Sequence, residues 1–231
     1  MSRQPAIARL DSLIEAATVV FIEKGYRRTQ IADVAHAMQR SPGAIYRYVE
    51  SKEALFDLVI RAVTQPEWEP TDLTLPIPTP ESDATLAFLR DLLAREGRIH
   101  SLERAIAKKT VKHPRTELER IIRELYAKTA RYRVGMKLVE RSALDYPELA
   151  VLWFGEMRIR VLQQLTTYLQ LRIEEGLLHP VPDYSATARL IVETVVFFSV
   201  HRHQDPFPTP MSDRIAEETV VDNLVNAYVK R

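Results

Sequence analysis

Five prolines, Pro66, Pro70, Pro76, Pro78 and Pro80, fall within the stretch TQPEWEPTDLTLPIPTPES at residues 64 to 82. Proline lacks a backbone N–H and its ring collides with the preceding helical turn, so no helix runs through this segment. Its charges are all acidic. The segment therefore divides the chain, and three parts are expected: residues 1–63, a Pro-rich acidic linker at 64–83, and residues 84–231. On both sides of the linker apolar residues recur at spacings of three and four, strand-type alternation is sparse and no internal repeat is found, so the fold class is all-α.

In the first part Leu10, Leu13, Ile14, Ala17 and Phe21 make one helical stripe that stops at Gly25, a natural residue beyond a helix end. Thr29 is the expected cap of a second helix of about ten residues, with Ile31, Val34, Ala35 and Met38 on its inner face. Ser41 caps a third helix of about seven residues, with Pro42 at its first position, where a missing N–H is harmless. Ser51 caps a fourth, which carries Leu55, Phe56, Val59, Ile60 and Val63.

The second and third helices, joined by a three-residue turn, have the dimensions of a helix-turn-helix. On the third, Ile45 and Val49 point inward. Ser41, Ala44, Arg47 and Tyr48 take the opposite face, with Tyr46 on the flank. A helix that enters a DNA major groove by its N-terminus needs small residues there and polar or aromatic groups spreading toward the phosphates. Lys52 sits in the first turn of its helix, where the helix dipole disfavours a cation, which points to an anionic partner.

These residues, above all TQIADVAHAM followed by SPGAIYRYVESKEALF, resemble the N-terminal DNA-binding domain of the TetR family of bacterial transcriptional regulators. The resemblance covers residues 9 to 63, and LVERSALDYPELAVLWF at 138 to 154 is similar to an element of the family's regulatory domain. It implies an N-terminal helix-turn-helix domain and a C-terminal helical ligand-binding and dimerisation domain. It also implies a homodimer on a palindromic operator, released when a small molecule enters the C-terminal domain. By position, Thr29, Tyr46 and Lys52 fall where the family contacts phosphate, and Ser41, Pro42, Gly43, Ala44, Arg47 and Tyr48 where it faces the groove. Two positions depart from the family pattern. Gln39 stands where the turn glycine is usual and must take a left-handed conformation with a side chain or turn differently. Val49 replaces a phenylalanine.

Beyond residue 84 the longest apolar seam runs from Leu118 through Leu125, Tyr132 and Val139 to Ala143, and the next helix runs from about Pro147 to a stop at Gly176. Two further helices cover 185–203 and 212–230. The run LIVETVVFF from Leu190 is apolar around much of its circumference, so dimerisation is expected through Ile191, Val195, Phe198, Val221 and Leu224 of the last two helices. Tyr126, Arg133, Met136, Lys137, Glu140, Trp153, Met157 and His201 are the candidates to line an effector cavity, and an apolar or amphipathic effector is expected from Trp153, Met136, Met157 and Phe198.

The chain has no cysteine, so disulfides and thiolate chemistry are excluded, and no pair of histidines has metal-ligand spacing on one face. Its six glycines are scattered, and neither a phosphate loop nor a hydrolase or zinc-protease motif occurs. No cofactor, no metal and no enzymatic activity are expected. The formal net charge is +1 and residues 1–63 are only mildly basic, so the case for double-stranded DNA rests on geometry. The opening MSRQPAIARLDSL carries charges where a secretory signal is apolar, and no membrane span is expected, which reads as cytoplasmic. The expected function is a ligand-responsive homodimeric repressor. A regulator tuned by a protein partner and an all-α enzyme remain alternatives.

Overall fold

The computed structural model describes residues 3–65 and 74–230, with side chains from Arg9 onward. Pro66 and Pro70 of the expected linker lie outside the described residues. Twelve α-helices make up the described chain: α1 Arg3–Lys24, α2 Ile31–Ala37, α3 Pro42–Ile45, α4 Lys52–Thr64, α5 Ala84–Glu96, α6 His100–Ala107, α7 Pro114–Arg131, α8 Arg133–Ala143, α9 Pro147–Ala150, α10 Ile159–Glu174, α11 Tyr184–Ser199 and α12 Asp213–Tyr228. A π-helical stretch, Val151–Arg158, joins α9 to α10, and a short 3₁₀ turn, His201–Gln204, follows α11. The described residues form no strand beyond two isolated bridges, so the fold is all-α.

The chain forms two compact units. The first holds residues up to Leu92 together with Val134–Trp153, and the second holds Leu93–Arg133 and the rest from Phe154. These units cut across the division expected at residues 63 and 84.

In the first unit the α1 stripe is buried as its spacing demands, with Leu13, Ala17 and Phe21 fully enclosed. Phe21 meets Phe56 of α4 edge-on at 5.1 Å, and Tyr26 packs on Phe56 at 4.6 Å. Gly25 ends α1 at φ +84°, and a Cβ there would lie 2.8 Å from Asp145 Oδ2, so both conformation and space require glycine. The cap of α2 is Gln30, whose amide donates to Asp33 Oδ2 at 2.8 Å. Thr29 therefore does not cap the helix. Its side chain faces inward, and its hydroxyl donates to Gly25 O at 2.7 Å. Gln39 adopts the left-handed conformation at φ 55°, so the turn keeps the geometry a glycine would give and accepts a side chain's cost. Both α2 and α3 are shorter than expected, seven and four residues: α2 gives way to the turn at residues 38–40, and α3 to a turn at residues 46–48 in which the Tyr48 N–H donates to Ile45 O at 2.8 Å, with residues 49–51 forming the link to α4.

That link is held by the Pro-rich segment. The Ile77 N–H donates to Tyr48 O at 2.8 Å and the Glu50 N–H donates to Ile77 O at 3.0 Å, a parallel bridge opposite Val49. Pro76 and Pro78 have no N–H, so Ile77 is the only donor of its triplet. Thr79 adds a bond from its amide to Glu50 Oε2 and one from its hydroxyl to Ser51 Oγ. Ser51 also caps α4, accepting from the Ala54 N–H at 3.1 Å.

The expected long helix from Leu118 to Ala143 is two helices with a break at Tyr132. Its halves bury their apolar faces in different units: Leu118, Ile122 and Leu125 in the second, Leu138, Val139 and Ala143 in the first. On α8, Gly135 lies so near α4 that a Cβ would come within 2.9 Å of Thr64 Cγ2.

In the second unit α10 packs on α6 and α11, α7 on α11 and α12, and α11 on α12. Among its described residues the one deeply buried charge is Arg172, 1% exposed, whose guanidinium ties three helices together by donating to Glu117 of α7, Ala105 O of α6 and Glu175 after α10. Gly176 at φ +74° closes α10, as expected of a stop.

Candidate nucleic-acid interface

The third helix presents two chemically different sides. Ile45 and Val49 are buried at 1% and 0% exposure, and they anchor the element from within. Ser41, Pro42, Gly43, Tyr46 and Arg47 are exposed, and Ala44 and Tyr48 are half-buried at the rim. The N-terminal end is open: a Cβ added at Gly43 would meet nothing within 4 Å. Alongside runs a solvent-open groove of about 730 Å³ bounded by Arg9 and Glu15 of α1, Arg40 in the turn, and Ala44, Arg47 and Tyr48. Among the described residues Arg9, Arg40 and Arg47 have no carboxylate partner. Three cations and two phenols thus surround a small-residue helix start, which is what approach to a polyanion demands.

Behind this face the polar groups bind one another. The Tyr26 hydroxyl donates to Glu53 Oε1 at 3.0 Å, and burial, reinforced by the Glu53 charge, raises the phenol well above its ordinary value and keeps that proton in place. Arg141 of α8 donates from Nε and Nη2 to Glu23 O at 3.1 and 2.9 Å. Asp145 accepts from the Arg27 N–H at 3.2 Å, and Tyr146 stacks on Tyr26 at 5.1 Å. Residues 141–146 are thereby fastened to the end of α1. Lys52 belongs to this cluster. Its ammonium donates to Tyr26 O and Arg27 O at 3.2 and 3.4 Å and lies 4.6 Å from the Tyr26 ring centroid, which leaves one of its three protons for another partner.

Thr29 departs from its expected role. It is 1% exposed and its only hydroxyl proton is held by Gly25 O, so it has no group to offer a phosphate and instead shapes the entry to α2.

The effector candidates fall in both units. Met136, Lys137 and Glu140 are half-buried on α8, and Trp153 is 4% exposed with its indole N–H lacking an acceptor. In the second unit Tyr126 is core, its hydroxyl donating to Phe198 O at 3.3 Å, and Arg133 is held by Asp213 at 2.8 Å. Met157 is half-buried on the π-helical stretch and His201 half-buried on the 3₁₀ turn. The dimer candidates need correction. Ile191, Val195, Val221 and Leu224 are at most 6% exposed within the single chain, and Phe198 is half-buried, so they fill the subunit's own core. The apolar groups that these two helices leave outside are Leu190, Phe197 and Ile215. Among the described residues no acidic or histidine cluster has metal-site geometry, and no helix is long and apolar enough to cross a membrane.

Residues 13–59 match the family model of bacterial regulatory proteins of the TetR family. No curated protein matches the chain. Among solved structures, the chain is similar to the ketosteroid transcriptional regulator KstR2 of Mycobacterium tuberculosis, with 17% identity over 96% of each chain and a TM-score of 0.56. It is also similar to a bacterial regulatory protein of the TetR family from Rhodococcus RHA1, with 19% identity over 94% of this chain and 95% of that one, TM-score 0.52. AibR in complex with isovaleryl coenzyme A and operator DNA gives 16% identity over 94% and 96%, TM-score 0.51. At these identities the similarity is one of fold, and it extends over nearly the whole chain. Residues 13–59 thus carry a TetR-type helix-turn-helix by sequence, and over the rest of the chain the similarity is to the fold of TetR-family regulators.

Proposed function

We propose that the protein is a homodimeric repressor that reads a palindromic operator with α3 and leaves it when a small-molecule effector binds. The observation that carries this reading is the outer side of α3: small residues and an open Gly43 at its start, flanked by three arginines that have no carboxylate partner among the described residues and by Tyr46 and Tyr48. Arg47 and Tyr48 face base edges, Ser41, Pro42, Gly43 and Ala44 line the close approach, and Tyr46 and the remaining proton of Lys52 hold phosphate. Residues 1–63 are the reading domain in this scheme.

A second copy supplies the second half-site. The outward faces of α11 and α12, with Leu190, Phe197 and Ile215, are the proposed contact between copies, because their buried faces are already filled. The similar structure of AibR holds both operator DNA and isovaleryl coenzyme A, which supports DNA and an effector as partners here. Trp153, whose buried N–H has no acceptor, and the neighbouring α8 side chains of the same unit are the proposed effector contacts.

Fluorescence anisotropy with the DNA upstream of the gene tests the reading. Saturable, salt-sensitive binding by a dimer is expected, with Phe197→Arg giving folded monomers that bind far more weakly. A folded protein with no preference for that DNA over random duplex would contradict it. Val195→Arg is not an interface test, since Val195 is fully buried and the change would disrupt the subunit.

A further inference from the structure

The helices α6 and α7 enclose a second concavity, of about 330 Å³, within the second unit. One wall carries Ser101, Arg104 and Lys108, and the other carries His113, Thr116 and Arg120. Arg104 and Lys108 are four apart, as are Thr116 and Arg120, so each pair shares one helical edge and faces the cleft together. All four basic side chains are exposed.

Such a set is ordinarily balanced by nearby acids. Here every acid of these two helices is engaged elsewhere. Glu103 pairs with Arg98 at 2.7 Å, and Glu119 with Arg123 at 3.2 Å. Glu124 accepts from the amides of His100 and Ser101 at 2.8 and 2.7 Å. Glu117, the one acid that lines the cleft, receives the buried Arg172 guanidinium at 2.7 Å. Arg172 also donates to Ala105 O, which fixes the cleft floor from below, and its charge is shared between Glu117 and Glu175. Among the described residues Arg104, Lys108 and Arg120 have no carboxylate partner. The walls are cationic, the one acid of the floor is paired and held rigidly, the Thr116 hydroxyl stands ready to donate while that of Ser101 donates to Arg120 O at 3.5 Å, and Ala105 is the only apolar residue among the described lining.

We propose that this cleft is a binding site for a phosphate-bearing small molecule. A volume near the lower end of roughly 300 to 1,000 Å³ for small-molecule sites suits a phosphorylated group. The inward curve and small size do not suit a duplex surface. Converging guanidinium forks and hydroxyls are the groups that recognise phosphate oxygens. The phosphate can belong to a free phosphorylated metabolite or to the nucleotide portion of a larger effector. This deepens the effector reading and rests on it only for the regulatory consequence: an anion drawing α6 and α7 together acts on α10 through Arg172.

Calorimetric titration of the full chain with pyrophosphate, ADP and adenosine tests the site. Pyrophosphate or ADP is expected to bind saturably, one per chain, and adenosine not at all. Tighter binding of ADP than of pyrophosphate assigns the site to a nucleotide portion, and the reverse to a free phosphorylated metabolite. Arg104→Gln with Arg120→Gln should weaken binding by about tenfold or more, with circular dichroism and operator affinity in the absence of ligand unchanged. Should that pair misfold, Lys108→Gln alone carries the same expectation at reduced size. The proposal is overturned if neither phosphate compound saturates, if adenosine binds as well as ADP, or if the substitutions leave affinity unchanged. Operator affinity is measured separately, so failure of the site and failure of the DNA-binding reading are distinguishable.

Discussion

The front and rear of the helix-turn-helix carry similar residue types in opposite states. At the front, Arg9, Arg40 and Arg47 with Tyr46 and Tyr48 surround an open helix start and have no carboxylate partner among the described residues. At the rear, Tyr26 donates to Glu53, Lys52 and Arg141 donate to backbone carbonyls of residues 23 to 27, and Asp145 accepts from the Arg27 backbone N–H. An arginine or tyrosine in the sequence looks the same in either place. What separates a gripping surface from a fastening is whether the fold has already supplied a partner, so changes at the front should act on binding and changes at the rear on stability.

The largest effects are expected at the front. Arg47→Ala and Tyr48→Ala should each alter preference among operator variants by about 1 to 3 kcal/mol, the worth of a good base contact, while the denaturation midpoint stays in place. Competition binding across an operator panel reads this. Loss of affinity spread evenly over all sequences would move these residues from base reading to phosphate holding.

At the rear, Arg141→Ala removes two bonds to Glu23 O and should lower unfolding free energy by about 1.5 kcal/mol, the lower figure for a charged hydrogen bond at a partly exposed site. Urea denaturation measures it, and the salt dependence of operator binding should be unaltered. A shallower salt slope in this variant would break the front and rear distinction.

The smallest effect concerns Lys24 and Asp33, 2.6 Å apart at the entrance to α2. The hydrogen bond from Lys24, then that from the Gln30 amide, holds the Asp33 carboxyl below its ordinary value. Since the folded value lies below the unfolded one, the stabilisation is fully present above the ordinary carboxylate range and disappears as pH falls through the folded value. Lys24→Met should cost about 0.2 to 1 kcal/mol at neutral pH and flatten the acid limb of the stability curve, because the pair is largely solvated.

Much of the front was legible in the sequence, since helical spacing alone assigns Ile45 and Val49 inward and Ser41, Arg47 and Tyr48 outward. The caps at Ser51 and the stops at Gly25 and Gly176 were legible for the same local reason. Partnerships across long separations were not. The carbonyls that hold Lys52 lie 25 and 26 residues away, and Ile77 bridges to Val49 from beyond the prolines. Thr29 is the cap by type, and only the inward direction of its side chain, which the sequence does not show, passes that position to Gln30. The run around Val195 reads as apolar whether it covers its own subunit or a second one, so an interface assigned from hydrophobicity landed on the buried face. The break at Tyr132 leaves the apolar spacing unbroken, so no periodic stripe reveals it.

Gly43→Leu tests the central claim most directly. The site has room for a side chain, so the variant should keep the wild-type melting temperature and circular dichroism while losing operator binding by about 100-fold or more, the loss of roughly two good base contacts. A variant that melts with the wild type and binds the operator as tightly would show that the open start of α3 does not enter the groove.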